Sequence, residues 1–206
     1  MPRRASAEPR KHPTQRRSTE TVDRIVAAAA RIFDERGYRG TTTNHVAEEA
    51  GVSIGSLYQY FPNKDALLVA LAERHIEDAA LRFGERLALL RERQPPIADT
   101  VRSLVDLTVE LNDTSRLHAL LFSECPRTPA LTERFDRFVD VVVAELVWHL
   151  ERTGLGGDDP LLRARLAFAS VDAAVHQVVL AAPPGRRRKA ATNELVELTL
   201  HGIGIG

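Results

Sequence analysis

Gly37 to Leu67, GYRGTTTNHVAEEAGVSIGSLYQYFPNKDAL, is the stretch whose reading decides the fold. It predicts two short helices joined by a tight turn. Thr41 to Thr43 precede the first, and Thr or Ser caps a helix start by accepting from an unpaired backbone N–H. Val46, Ala47 and Ala50 recur at helical spacing, which predicts a buried stripe. Gly51 follows at once, where a helix commonly ends in the left-handed conformation glycine adopts most easily. Val52 can plug the corner, and Ser53 can cap a second helix through Leu57, Tyr58 and Phe61. Pro62 stops that helix, because the residue before a proline disfavours helix. Asn63 then caps a third helix, with Asp65 suited to the positive end of its dipole.

Two short helices around a glycine-containing turn make a helix-turn-helix. One face of the second helix is small and polar: Ser53, Gly55, Ser56 and Gln59. Small residues allow close approach to a DNA groove, and hydroxyls and amides reach phosphates and base edges. The spacing alone equally fits a solvated helical hairpin in an all-α protein.

The register closely resembles the DNA-binding domain of the TetR/AcrR family of transcriptional regulators. The matching pieces are Gly37-Tyr38, Thr41-Thr42, Val46-Ala47, Ala50-Gly51-Val52-Ser53, Gly55-Ser56-Leu57-Tyr58, Tyr60-Phe61 and Asn63-Lys64-Asp65 with Leu67. The resemblance covers residues 18 to 78; beyond them only length and helical pattern match. Ile54 departs from the polar, charged or proline residue common there, and Thr43 from a common apolar one. The resemblance implies a homodimeric repressor, released from a roughly palindromic double-stranded operator by a small-molecule effector.

The chain has 206 residues, of which 44% are hydrophobic, enough for a real core. Abundant alanine, leucine and arginine with few aromatics favour helix. Formal net charge is zero, which taken alone argues against a nucleic-acid protein, but the balance is uneven. Residues 1–65 carry 11 Lys/Arg and 8 Asp/Glu, net +3, and the remainder 17 and 20, net −3. The basic excess lies with the helix-turn-helix. The single cysteine, Cys125, rules out an internal disulfide and suits a reducing cytoplasm. It reads as a small buried hydrophobe. No run of about 18 apolar residues predicts a membrane span, and the basic N-terminus lacks the apolar core of a secretory signal.

The expected fold is all-α with about nine helices and no strand. Residues 1–17, with six Lys/Arg and three prolines, read as a disordered basic arm able to lie along DNA phosphates. Residues 18–78 form the helix-turn-helix domain, with the motif at 41–60. Residues 79–206 form an effector-binding and dimerisation domain. Its helices are expected near 97–111, 116–124, 130–152, 160–181 and 187–201, with a loose Gly-Ile-Gly-Ile-Gly end. The helix from Lys64 to about Arg93 links the two domains.

The DNA contacts expected from motif and resemblance are Thr42, His45, Ser53, Ile54, Gly55, Ser56, Tyr58, Gln59, Tyr60 and Lys64. Gln59 and His45 are the candidates for base reading, Thr42, Ser53, Ser56, Tyr58, Tyr60 and Lys64 mostly meet phosphates, and Gly55 allows close approach. Ile54 fits either the core, by its spacing to Leu57 and Phe61, or the DNA side, by the family register. An apolar effector pocket with a few polar groups is expected from Leu104, Thr108, His118, Phe122, Phe138, Val142, His149 and His176, with Trp148 on its flank. Residues 160–181 are apolar on two faces, so both need cover. A dimer interface is expected at Phe168, Val171, Val175, Val178, Leu195 and Leu198.

No nucleophile–base pair, phosphate-binding loop or histidine pair at ligand spacing is present, so neither catalysis nor a metal nor a cofactor is expected. An all-α enzyme and a helical adaptor without DNA affinity are the alternatives. The run Arg186-Arg187-Arg188-Lys189 reads as a solvated loop and helix start.

Overall fold

The computed structural model of the chain describes residues 16–113 and 116–205. The expected arm falls largely outside them. The described residues form nine α-helices and no strand: α1 (Arg16–Gly40), α2 (Thr43–Ala50), α3 (Ile54–Tyr60), α4 (Lys64–Arg93), α5 (Ile97–Asn112), α6 (Arg116–Glu124), α7 (Pro129–Arg152), α8 (Pro160–Ala174) and α9 (Arg186–Gly202). A π-helical turn, Val175–Val179, follows α8 directly. No helix among the described residues is long and apolar enough to cross a membrane.

The helices group into two compact units. The first holds the described residues up to 77 together with 116–134, and the second 78–113 with 135–205.

In the first unit α1 lays Ile25, Val26, Ala29, Ile32 and Phe33 into a core completed by Val46, Ala47 and Ala50 of α2, Leu57 of α3, Phe61 and the first turns of α4. Gly37 breaks α1 with φ 66° and ψ 177°, a conformation open to glycine and strained for other residues. The core has a further cover that sequence assigned to the other domain. Leu117, Leu120, Leu121 and Cys125, on α6 and just after it, pack against it, and the Leu117 N–H donates to Asp34 Oδ1 at 3.1 Å. An amphipathic helix specifies which of its faces is buried, not against what. That is why 79–206 read as one continuous domain.

In the second unit one core gathers Phe83, Leu87 and Leu90 of α4, Leu104, Leu107 and Leu111 of α5, and Val142 of α7. Another gathers Val101, Val105, Val143, Leu150, Val175, Val179, Val196 and Leu200. The expected straight helix to residue 181 is instead α8 plus the π turn, in which Leu180 N–H bonds the Val175 carbonyl at 2.9 Å. The C-terminal glycines are not loose as far as residue 205. Ile203 is buried, Ile205 N–H bonds the Leu200 carbonyl at 2.9 Å, and Arg163 Nη1 donates to the carbonyls of Leu155 at 2.8 Å and Ile203 at 2.9 Å.

Candidate nucleic-acid interface

Local chemistry fixes both helices of the motif. The Thr42 hydroxyl accepts from the His45 N–H at 3.3 Å, and His45 Nδ1 accepts from the Thr42 N–H at 3.4 Å. This reciprocal cap ties half of the His45 ring to its own helix. At the other end Gly51 adopts φ 62°, and Val52 N–H bonds the Ala47 carbonyl at 3.0 Å, closing α2 as left-handed caps do. Arg24 Nη2 reaches from α1 to the Ala50 carbonyl at 2.6 Å and the Gly51 carbonyl at 3.2 Å. It satisfies groups the helix end leaves open.

Ser53 caps α3 by accepting from the Ser56 N–H at 3.1 Å, and the two hydroxyls bond at 2.8 Å. Leu57 and Phe61 are buried and anchor the back of the helix. Its front carries Ser53, Gly55, Tyr58 and Gln59, all exposed. Ile54 is 38% exposed, so of its two readings the core one fails; Leu57 and Phe61 fill that side. A Cβ at Gly55 would meet only Ser53 Oγ, at 3.9 Å. Among the described residues nothing requires glycine there.

The remaining expected contact residues divide. The Tyr58 hydroxyl bonds Thr43 Oγ1 at 3.0 Å, bridging α2 and α3 on the exposed side. Tyr60 instead turns towards α1, where its hydroxyl meets Ser18 Oγ at 2.9 Å. Lys64 Nζ donates to the Tyr38 carbonyl at 2.9 Å and lies 3.9 Å from the centre of the Tyr38 ring. The Tyr38 phenol donates to the Asp65 carboxylate, and burial first, then that bond, pushes its pKa up to about 12. Arg24, Tyr38 and Thr43 were not among the expected site residues. Their partners lie 15 to 27 positions away, beyond what helical periodicity reports.

The expected pocket residues are not all in one unit. His118 and Phe122 belong to the first unit; His118 is buried, its ring centre 4.9 Å from that of His75, while Phe122 is 51% exposed. Cys125 is part-buried there, and burial pushes its thiol up to about 11. The other six lie in the second unit. Leu104 and Val142 are core residues, with Phe138 packed against them. The Thr108 hydroxyl bonds the Leu104 carbonyl of its own helix at 2.8 Å. His176 Nδ1 meets the Asp172 carbonyl at 2.7 Å. His149 is fully buried, and the guanidinium groups of Arg91 and Arg152 lie 4.6 and 5.6 Å from the Trp148 ring centroid.

Two of the expected dimer residues need correcting. Val175 and Leu195 are buried in the chain's own core, Val175 on the same inward face as Ala164, Phe168 and Val171 of α8. Phe168 and Val171 are half-buried, whereas Val178 and Leu198 are 61% and 62% exposed. The exposed apolar stripe of α8 runs instead through Leu162, Leu166, Ala169 and Ala173. Among the described residues no group of three or more metal-ligating side chains is assembled.

A capped pair of helices around a glycine turn, presenting an outward polar face, has the geometry of a helix-turn-helix, the motif whose second helix enters a DNA groove in proteins that use it. Residues 25–71 match the model of the bacterial regulatory proteins of the tetR family. The chain is 33% identical over 169 residues to the HTH-type transcriptional regulator CymR of Pseudomonas putida, covering 79% of this chain and 81% of that one. It superposes on a TetR-family transcriptional regulator of Streptomyces coelicolor with TM-score 0.65 at 28% identity, covering 91% and 97% of the two chains. The fold is also that of the regulator FadR of Bacillus subtilis, solved with stearoyl-CoA, at TM-score 0.65 and 20% identity over 88% of this chain and 98% of that one. The chain belongs to the tetR family and is a DNA-binding transcriptional regulator.

Proposed function

We propose that the chain is a homodimeric cytoplasmic repressor, not an enzyme, which a small-molecule effector releases from a roughly palindromic operator. The observation that carries this is the front of α3, where Ser53, Ile54, Gly55, Tyr58 and Gln59 face outward from a back locked by Leu57 and Phe61. Among the described residues nothing requires Gly55 to lack a side chain, which fits a backbone that must come close to DNA. In this reading Ser53, Ser56 and Tyr58 meet phosphates, with Thr42 beside them. Gln59 and the Nε2 side of His45 read base edges, and Ile54 meets a thymine methyl. Tyr60 acts through α1 rather than by touching DNA.

A dimer is supported by the exposed stripe Leu162, Leu166, Ala169 and Ala173 with Val178 and Leu198. An apolar strip of that length on a monomer marks an interaction surface. Two copies of α3 would then enter successive major grooves about 34–36 Å apart. The effector reading draws on the FadR complex with stearoyl-CoA and on the apolar interior of the second unit. An effector can weaken DNA binding only if it prefers the DNA-incompetent state. A gel shift on the chain's own promoter, repeated at rising salt, tests the reading. Specific, salt-sensitive retardation is expected. Its absence at low salt would favour the adaptor or enzyme alternatives.

A further inference from the structure

Thr43 is the first residue of α2, and its side chain is tied to the exposed front of α3. Its Oγ1 lies 3.0 Å from the Tyr58 hydroxyl, across 15 positions of sequence, in a bond open to solvent. Both ends of this bond are held in place. The reciprocal cap between Thr42 and His45 fixes the backbone at the start of α2, and a β-branched side chain has few χ1 states to choose from. Tyr58 follows Leu57, whose complete burial fixes how α3 is turned, and is itself 43% exposed. An apolar side chain would pack the half-buried position of Thr43 equally well. A solvent-exposed hydrogen bond adds little to folding, because water replaces it. Stability therefore does not explain a hydroxyl at residue 43.

The chemistry of two bonded hydroxyls supplies a use for it. Each hydroxyl carries one hydrogen and can also accept, so their mutual bond leaves the pair one hydrogen to spare. Either oxygen can carry it. A phosphate oxygen is a charged acceptor, and bonds to charged acceptors are the strong ones. A phenol is a better donor than an aliphatic alcohol, so beside a phosphate the favoured arrangement has Thr43 donating to the phenol oxygen and Tyr58 donating outward. With one side of the phenol oxygen engaged by Thr43, the Tyr58 hydrogen takes the other side, away from α2. The bond from Thr43 also polarises the phenol O–H, since hydrogen bonds in a chain strengthen one another. A Tyr58 without Thr43 would have to give up the free rotation of its hydroxyl on meeting DNA.

We infer that Thr43 is a positioning residue for DNA binding, which acts through Tyr58 by aiming the phenol hydrogen at one backbone phosphate in each half-site. This rests on the reading above that Tyr58 meets a phosphate, and names the residue that directs it there. The test uses the full chain in gel shifts at low salt, on a duplex from its own promoter and on one of random sequence. Tyr58→Phe and Thr43→Val should each weaken both duplexes alike by about three- to tenfold, the worth of one hydrogen bond. The double variant should bind no more weakly than Tyr58→Phe, because two residues that make one contact are not additive. Thr43→Ser should recover most of what Thr43→Val loses, and melting temperatures should stay at the parent value. A neutral methylphosphonate is then moved along the promoter duplex one phosphate at a time. At one position in each half-site it should weaken the parent chain but neither Tyr58→Phe nor Thr43→Val. Losses that multiply in the double variant, no recovery in Thr43→Ser, a loss confined to particular base pairs, or a Thr43→Val chain that melts several degrees lower would each overturn the inference. If Tyr58→Phe binds as the parent does, the phosphate placement of Tyr58 falls with it. A weakened Tyr58→Phe beside a normal Thr43→Val removes the role of Thr43 alone.

Discussion

At Lys64 one ammonium group bonds the Tyr38 carbonyl and covers the Tyr38 ring, so its position at the start of α4 is fixed rather than sampled. Lys64→Ala should weaken binding to all DNA sequences alike and reduce the salt slope by about 0.9, one phosphate's worth. It should also cost about 1 kcal/mol of stability, because the Tyr38 carbonyl loses a charged donor. Gel shifts at two ionic strengths and a urea titration check both. Gln59→Ala should behave differently, leaving the salt slope alone and relaxing base preference at one position of each half-site, by about 1–3 kcal/mol of discrimination. Selection from a randomised operator pool reads this directly. His149 sets a pH dependence. Its folded-state pKa is lowered by burial and by Arg152 and Arg91, so below its ordinary value of about 6.5 the unfolded chain binds a proton that the folded one refuses. Stability is therefore unpenalised above that pH and falls as pH drops from there towards the folded value. The melting temperature of the parent chain should fall more between pH 7.5 and 5.5 than that of His149→Phe.

At the scale of elements, what was legible in the sequence was whatever is decided within a few residues. Thr42, Gly51, Ser53 and Pro62 bound α2 and α3 because caps and stops are local chemistry, and α4 and α6 begin and end where their patterns do. Three things were not legible, each for lack of local information. The apolar pattern runs unbroken through Val175–Val179, so nothing announced the π turn there. The stripe of α6 could be read, but not its destination against α1. The glycines after α9 suggested looseness, because the arginine that holds Ile203 lies 40 positions earlier. Of the interface, the outward face of α3 was readable, whereas the inward turn of Tyr60 depended on Ser18. The tail gives its own prediction. Ile203→Ala should cost about 2–5 kcal/mol, the range for emptying a buried isoleucine site. Operator affinity should be unchanged once the protein is folded. Thermal denaturation and a gel shift on the same sample separate the two.

For the whole molecule, the exposure pattern sorts charge substitutions into two outcomes. Leu166 and Leu198 are exposed in the single chain, whereas Val175 is enclosed. Leu166→Glu together with Leu198→Glu should give folded monomers with weakened operator binding. Val175→Glu should fail to fold, because it buries a charge with no partner. Analytical ultracentrifugation with circular dichroism distinguishes a folded monomer from an unfolded chain. The return of α6 to the first unit has a consequence during synthesis. That unit is assembled from two separate stretches of the message. Translation from residue 77 to residue 134 takes on the order of 3–10 s at ~5–20 residues/s. Until then the side of α1 around Asp34 waits uncovered at the ribosome. The nascent DNA-reading end therefore stays incomplete over that interval, until all of α5 and α6 and the start of α7 have been made.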